Sequence, residues 1–146
     1  MLRYQNGMIK AFSKLSRKLL GLSRQVEVPQ GIRAEFLLKY KDIPIATLSL
    51  RDAEWTFQYT VQFRHQDELR PIVEFPDVNR TYSSEALWPF FQMRIPSRSQ
   101  ASVERIIQSE QIQENDEAKL LSRFGRLTIA NPYELVVTPQ SISKSV

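Results

Sequence analysis

The sequence predicts an α+β domain: a small, mostly antiparallel sheet or partly closed barrel with helices packed on one side, plus an N-terminal basic amphipathic helix. Two observations lead to this prediction. Between about residues 34 and 75, apolar side chains recur with a period of two, which is typical of strands joined by short turns. After Pro76 the period becomes helical, with cap residues at the helix ends. With 146 residues, the chain has the length of one domain with extensions.

The first element is a basic amphipathic segment. Apolar residues at spacings of four and three predict a helix from about residue 8 to 23. Its apolar stripe would dock onto the body of the protein or onto a partner. Alternatively, its basic face would contact an anionic membrane surface or nucleic acid. Four basic residues off the stripe are the candidates for such surface binding: Lys10, Lys14, Arg17 and Lys18.

Basic charge is concentrated in this first part of the chain. The net charge is +4 at pH 7. Residues 1–33 carry seven Lys and Arg side chains against Glu27, whereas the remaining 113 residues carry 13 basic and 15 acidic side chains. We therefore divide the chain into a basic helix with its linker (1–33), a slightly acidic domain (34–139) and a Ser-rich flexible tail (140–146).

The domain begins with three predicted strands. Ala34–Tyr40 and Ile43–Leu50 alternate around a two-residue connection and predict a hairpin. Glu54–Arg64 follows as a long strand with one buried and one solvated face. A further short strand is predicted at Ile72–Phe75. The long strand places five large residues on its buried face: Trp55, Phe57, Tyr59, Val61 and Phe63.

The second half of the domain is predicted to be mainly helical. Ser83 or Ser84 would cap a helix that contains Pro89, and Asn115 or Asp116 would cap the last helix, which Gly125 ends. The predicted helices are Glu85–Met93, Ser102–Gln111 and Glu117–Phe124, and the predicted closing strands are Arg126–Ala130 and Tyr133–Thr138.

The composition excludes many kinds of catalytic and metal site. There is no cysteine, which excludes disulfides, thiolate zinc sites and cysteine nucleophiles. His65 is the one histidine, and no Gly-rich phosphate loop or GxSxG motif occurs. We therefore expect a protein that is not an enzyme, with no catalytic, cofactor-binding or metal-binding residue. No export signal or membrane-spanning segment is visible, so the expected location is the cytoplasm.

The last two predicted helices have the spacing of a helix-turn-helix, but their charge argues against DNA reading. The second helix would present Asp116 and Glu117 to the phosphates. We therefore expect no direct sequence-specific DNA binding. Between residues 104 and 117 there is one basic residue, Arg105, against five acids: Glu104, Glu110, Glu114, Asp116 and Glu117.

The candidate contact residues lie around an aromatic cluster. Leu87, Phe90 and Phe91 are expected to cover the sheet as core residues. Trp88 cannot face inward together with all of these neighbours on one helix, and Trp is enriched at binding hot spots. Trp88 is therefore a candidate partner contact, and the loop that follows adds three more: Arg94, Ser97 and Arg98.

The order of these segments resembles the N-terminal subdomain of the HipA family of toxin kinases over about residues 34–138. The segment YSSEALWPFFQMRIP (82–96) is similar to the family's lFpFF.nLLPeG type of motif. The segment DEAKLLSRFGRLTIANPYEL (116–135) is similar to its Asp-x-x-x-Leu-Leu…Gly-Arg region. Where the family commonly has Leu-Pro-Glu-Gly, this chain has Arg-Ile-Pro-Ser-Arg at 94–98.

The resemblance implies a function in protein–protein recognition. The residues that bind ATP and metal in this family lie in the kinase portion, which the resemblance does not cover, so no catalytic or cofactor-binding residue is carried over. In split (HipBST-type) members of the family, a separate small protein equivalent to this subdomain acts as an antitoxin toward a shortened kinase that lacks it. Those systems also include a HipB-like DNA-binding protein. The resemblance therefore implies a HipA-like Ser/Thr kinase as partner, whereas the basic helix suggests a membrane- or nucleic-acid-associated adaptor as the alternative.

Overall fold

One open sheet of five antiparallel strands forms the centre of the domain in the computed structural model, which describes residues 33–138. The predicted N-terminal helix with its four basic residues and the tail from Gln140 lie outside the described residues. In chain order, the strands are β1 (Ala34–Tyr40), β2 (Ile43–Arg51), β3 (Glu54–Tyr59), β4 (Tyr82–Ser84) and β5 (Glu134–Val137). The helices are α1 (Val61–Arg64), α2 (Pro89–Gln92), α3 (Ala101–Ser109) and α4 (Glu117–Phe124).

The strand order is β4-β3-β2-β1-β5, so the chain adds its last strand beside its first. This confirms the predicted α+β class and antiparallel sheet. The alternative of a partly closed barrel is wrong, because β4 and β5 lie at opposite edges and do not pair with each other.

One face of the sheet is apolar across all five strands. The register aligns Phe36 of β1 with Leu48 of β2, and Leu48 with Phe57 of β3. Because side chains alternate between faces along a strand, this register places the large residues of each strand on the same side. Three helices cover that side with Phe63, Phe91 and Leu121, all of which belong to the same buried cluster.

The connection between β2 and β3 has an unusual backbone. Arg51 pairs with Glu54, so Asp52 and Ala53 alone form the turn. Both have positive φ angles, 50° for Asp52 and 63° for Ala53. This is the geometry of a two-residue hairpin of the type I′ family, which matches the twist of the strands but normally favours Asn-Gly.

The helices α3 and α4 contribute a second, smaller apolar cluster. Asp116 caps α4 by accepting a hydrogen bond from the Lys119 backbone N–H at 3.0 Å, and Gly125 follows its last residue. The predicted cap, helix and stop are therefore confirmed. The buried members of the cluster are Val103, Ile107, Ile112 and Leu120.

The long predicted strand ends earlier than its sequence pattern indicates. β3 stops at Tyr59, because the Thr60 hydroxyl accepts a hydrogen bond from the Phe63 N–H and starts α1. Phe63 is still buried, but Val61 points into solvent. The alternation over residues 54–64 thus continues from a strand into a helical turn.

Three other predicted elements also differ. Residues 72–75 form a turn, closed by a hydrogen bond from Phe75 N–H to the Ile72 carbonyl. The predicted helix 85–93 begins only at Pro89, because the residue before a proline avoids helical angles, and Trp88 is extended with ψ of 148°. Residues 126–130 form neither a strand nor a helix. Within residues 33–138, no helix is long and apolar enough to cross a membrane.

Candidate functional site

Trp88 is half-buried at the start of α2. Its ring meets the ring of Phe75 edge to face, with 5.1 Å between the centroids. Phe75 belongs to the core and is fully buried. Trp88 therefore packs against the core, and only a minor part of its surface remains accessible for a contact.

Arg94 is the residue whose position differs most from expectation. Its side chain is only 3% exposed. Nη1 donates hydrogen bonds to the carbonyl oxygens of Gly125 and Arg126 at 3.0 and 3.2 Å. Nη2 donates to Asn131 Oδ1 and to the Tyr133 carbonyl, both at 2.9 Å. The prediction that Arg94 contacts a partner is therefore wrong for this structure, because its guanidinium is used inside the domain.

Burying the charged side chain of Arg94 costs desolvation free energy. Burial lowers the pKa of Arg94 to about 10, so the guanidinium is still protonated at neutral pH. Its charge faces neutral oxygens and the ring of Phe90, whose centroid is 5.8 Å from Cζ. Nε is buried and has no hydrogen-bond partner within the described residues. A buried charged residue of this kind is expected where the geometry of its hydrogen bonds specifies one conformation of the chain.

Ser97 and Arg98 lie on the loop between α2 and α3. Ser97 is exposed and shares a hydrogen bond with the hydroxyl of Ser99 at 2.8 Å. Arg98 bridges Glu104 at 3.0 Å and Glu114 at 2.8 Å. Its hydrogen bonds with Glu104 raise the pKa of Arg98 and lower that of the carboxyl group. Arg98 is thus about one-third exposed but already paired with the domain's own acids.

The structure reveals an exposed apolar segment that the sequence analysis missed. Residues 126–133, which we call the apolar loop, connect α4 to β5. Leu127 is 65% exposed, and Ile129 is fully exposed. Together with Pro132 and Tyr133, these residues line one shallow, open groove. The alternation of Leu127 and Ile129 suggested a strand, yet neither side chain enters the core.

Arg94 connects this loop to the aromatic cluster. Its four acceptors belong to residue 125, directly before the apolar loop, and to residues 126, 131 and 133 near the two ends of the loop. Phe90 packs beside the same end, with its ring centroid 6.2 Å from that of Tyr133. The exposed Leu127 and Ile129 therefore project from a loop that is fixed at both ends.

The residues that line the groove are uncharged and mostly apolar. Within the described residues, no group of three His, Cys, Asp or Glu side chains could hold a metal ion. The groove is lined by aliphatic and aromatic side chains, together with the hydroxyl of Thr128 and the amide of Asn131. Exposed aliphatic side chains on a fixed backbone are typical of surfaces that contact another protein.

A comparison with protein-family models gives a match that covers most of the described chain. The model described as the HipA N-terminal domain matches residues 37–129, from β1 into the apolar loop. No curated protein sequence matches the chain.

Proposed function

The chain belongs to the HipA N-terminal domain family, and on this premise we propose that it is a non-catalytic module that binds and restrains a HipA-like Ser/Thr kinase. Membership in the family supports a role in a HipA-related toxin–antitoxin module and an association with HipA-type proteins. In this proposal the chain is the antitoxin component. The kinase is a shortened one that lacks this subdomain.

The single observation that carries the proposal is the exposure of Leu127 and Ile129 on the apolar loop. A fully exposed Ile has no stabilising role in the isolated domain, because folding does not remove it from water. Burying such a side chain in a complex would contribute about 1.5–3 kcal/mol to binding. The exposed part of Trp88, on the segment that also carries Arg94, is a second candidate contact.

Ile129→Asp tests the proposal directly. The exposed position predicts a change of less than about 0.5 kcal/mol in the free energy of unfolding. Affinity for the purified kinase should fall by roughly 10–150-fold, since each 1.4 kcal/mol corresponds to a tenfold change. Isothermal titration measures the affinity, and an assay of kinase activity measures the restraint.

Val73→Asp is the matched control. Val73 is also an aliphatic residue in a loop and is 93% exposed, but it lies outside the apolar loop. The same introduced charge should leave kinase binding unchanged there. Equal loss of affinity in the two variants, or none in Ile129→Asp, would contradict the proposed surface.

Absence of catalysis is part of the proposal and has its own test. The purified chain should hydrolyse no ATP and transfer no phosphoryl group, because its sequence has no phosphate-binding loop. Turnover above a mock preparation, if a point mutation in this chain abolished it, would show that the protein is an enzyme.

A HipB-like DNA-binding protein is the second partner that we propose. DNA binding would belong to that partner, since Asp116 and Glu117 stand at the start of α4 and would repel phosphates. In an electrophoretic mobility assay, this chain alone should not retard operator DNA. Sequence-specific retardation by the isolated chain would contradict this assignment.

A further inference from the structure

We infer that Arg94 is the positioning residue of the proposed interface. Its buried guanidinium holds the apolar loop in the conformation that presents Leu127 and Ile129 to the partner. The identity of the partner as a HipA-like kinase rests on the proposed function, whereas the effect of Arg94 on the loop does not.

The hydrogen bonds of Arg94 act on both ends of one segment. Nη1 bonds to the carbonyls of Gly125 and Arg126, and Nη2 bonds to Asn131 and Tyr133. Between these anchors lie the exposed aliphatic side chains. One planar guanidinium thus fixes the distance between the two ends of the loop, which a single ammonium group could not do with the same geometry.

The apolar loop has little regular structure of its own. Residues 126–133 belong to no strand or helix of the described chain. Its local bonds include Ala130 N–H to Thr128 Oγ1 at 3.2 Å and Leu135 N–H of β5 to the Arg126 carbonyl at 2.9 Å. Neither Leu127 nor Ile129 fixes the loop by packing, because both side chains are exposed. Arg94 therefore adds four hydrogen bonds to the few local bonds and the packing of Tyr133 that hold the loop.

Arg94 is also poorly suited to a purely stabilising role. It is buried without a salt bridge to any carboxylate of the described residues, and its Nε lacks a partner. Burying the charge of a guanidinium costs free energy, and here no carboxylate offsets that cost. Holding a binding loop in one conformation, however, lowers the entropy lost on association, and this increases affinity.

Arg94→Lys is the principal test, with Arg98→Lys as the matched control. Both changes keep the charge, but Arg98 bonds to Glu104 and Glu114, outside the apolar loop. In Arg94→Lys, trypsin should cleave after Arg126 on the order of tenfold faster in the intact protein. The kinase should also dissociate on the order of tenfold faster. Arg98→Lys should change neither rate.

Asn131→Asp tests the same inference, with effects on cleavage and dissociation opposite to those of Arg94→Lys. The substitution keeps the oxygen that accepts from Arg94 and gives the guanidinium a carboxylate at the same place, 2.9 Å away. Cleavage after Arg126 and dissociation of the kinase should both become slower than in the native protein. A role of Arg94 in core packing alone would leave both rates unchanged in this variant.

The outcomes separate this inference from the proposed function. A folded Arg94→Lys variant with unchanged cleavage after Arg126 overturns the inference. If Arg94→Lys does not fold, Asn131→Asp decides: slower cleavage supports the inference, and unchanged or faster cleavage overturns it. If the native protein does not bind the kinase, the proposed function fails, and the cleavage rates still decide whether Arg94 holds the loop.

Discussion

Two neighbouring phenylalanines allow a sharp test of how the aromatic cluster stabilises the domain. Phe91 is fully buried, and its ring centroid lies 5.0 Å from that of Phe90 and 6.0 Å from that of Phe57. Phe91→Ala removes a ring from a closed site and leaves a cavity. The free energy of unfolding should fall by about 3–5 kcal/mol, which is a large part of the ~5–15 kcal/mol typical of a domain.

Phe90→Ala is the matched comparison, because the chemical change is identical and the position is adjacent. Phe90 is half-buried. Only part of its transfer free energy is lost and solvent can fill the space, so the expected cost is about 1–2 kcal/mol. Trp88→Ala should have a cost in the same range, since Trp88 is also partly buried and packs on Phe75.

Urea unfolding monitored by the combined fluorescence of Trp55 and Trp88 measures these differences in the two phenylalanine variants. The slope of the free energy of unfolding against urea concentration should be the same in all variants. A shift of the unfolding midpoint then reports a change in stability. If Phe90→Ala destabilises the domain as much as Phe91→Ala, the burial of the two rings does not control their contributions and the reasoning is refuted.

Three further predictions concern the backbone, a buried hydroxyl and a helix cap. Ala53→Gly should stabilise the domain by roughly 0.5–1 kcal/mol, because Ala53 has a φ of 63° and glycine adopts this without strain; a lower urea midpoint would contradict this. Burial raises the pKa of Tyr59 to about 12. The Tyr59 hydroxyl therefore ionises at a lower pH in the unfolded state than in the folded state, and stability should fall as the pH rises from about 10 to 12. In Tyr59→Phe that decline should be shallower, as measured by urea midpoints across this range, and an equally steep decline would exclude Tyr59 as its source. Asp116→Ala should cost about 0.5–2 kcal/mol by removing the cap of α4, whereas Asp116→Asn should retain most of the stability in thermal melts.

The elements that the sequence predicted correctly are those specified by neighbouring residues. The hairpin of β1 and β2 alternates on both sides of a two-residue connection, apart from a bulge between Leu38 and Lys39. The helix α4 carries its own cap at Asp116 and its own stop at Gly125. These signals act within a few residues, so the pattern alone determines the local structure.

Where the predicted elements differ from the structure, a residue favours a second conformation that competes with the one indicated by the hydrophobic pattern. Alternation extended the predicted strand β3 past Tyr59, but the Thr60 hydroxyl caps a helical turn instead. A serine cap suggested a helix from residue 85, yet Ser83 and Ser84 pair with β3 as part of β4. In both places a hydroxyl residue was compatible with two conformations: a local cap was formed at Thr60, whereas pairing with β3 was formed at Ser83 and Ser84.

The candidate site could be predicted only in part, because it depends on contacts across long stretches of chain. The sequence identified Leu87 and Phe91 as core residues, whereas Phe90 is only half-buried, and the contact role of Trp88 stays a prediction. Arg94 was expected at the surface, since arginine is seldom fully buried. Its acceptors lie 31 to 39 residues further along the chain, and three of the four are backbone carbonyl oxygens. Backbone acceptors leave no signature in the side-chain pattern, so no motif could have indicated them.

The same long-range contact explains why the apolar loop was predicted to be a strand. Leu127 and Ile129 alternate with polar residues, a pattern that usually means one face is buried. The edge strand beside β1 is formed instead by β5, and Arg94 holds the preceding residues by their carbonyl groups, so the alternating side chains have no sheet to cover. A strand-like pattern outside any sheet leaves aliphatic surface without an intramolecular partner. This is the surface that the proposed contact with a HipA-like kinase would bury.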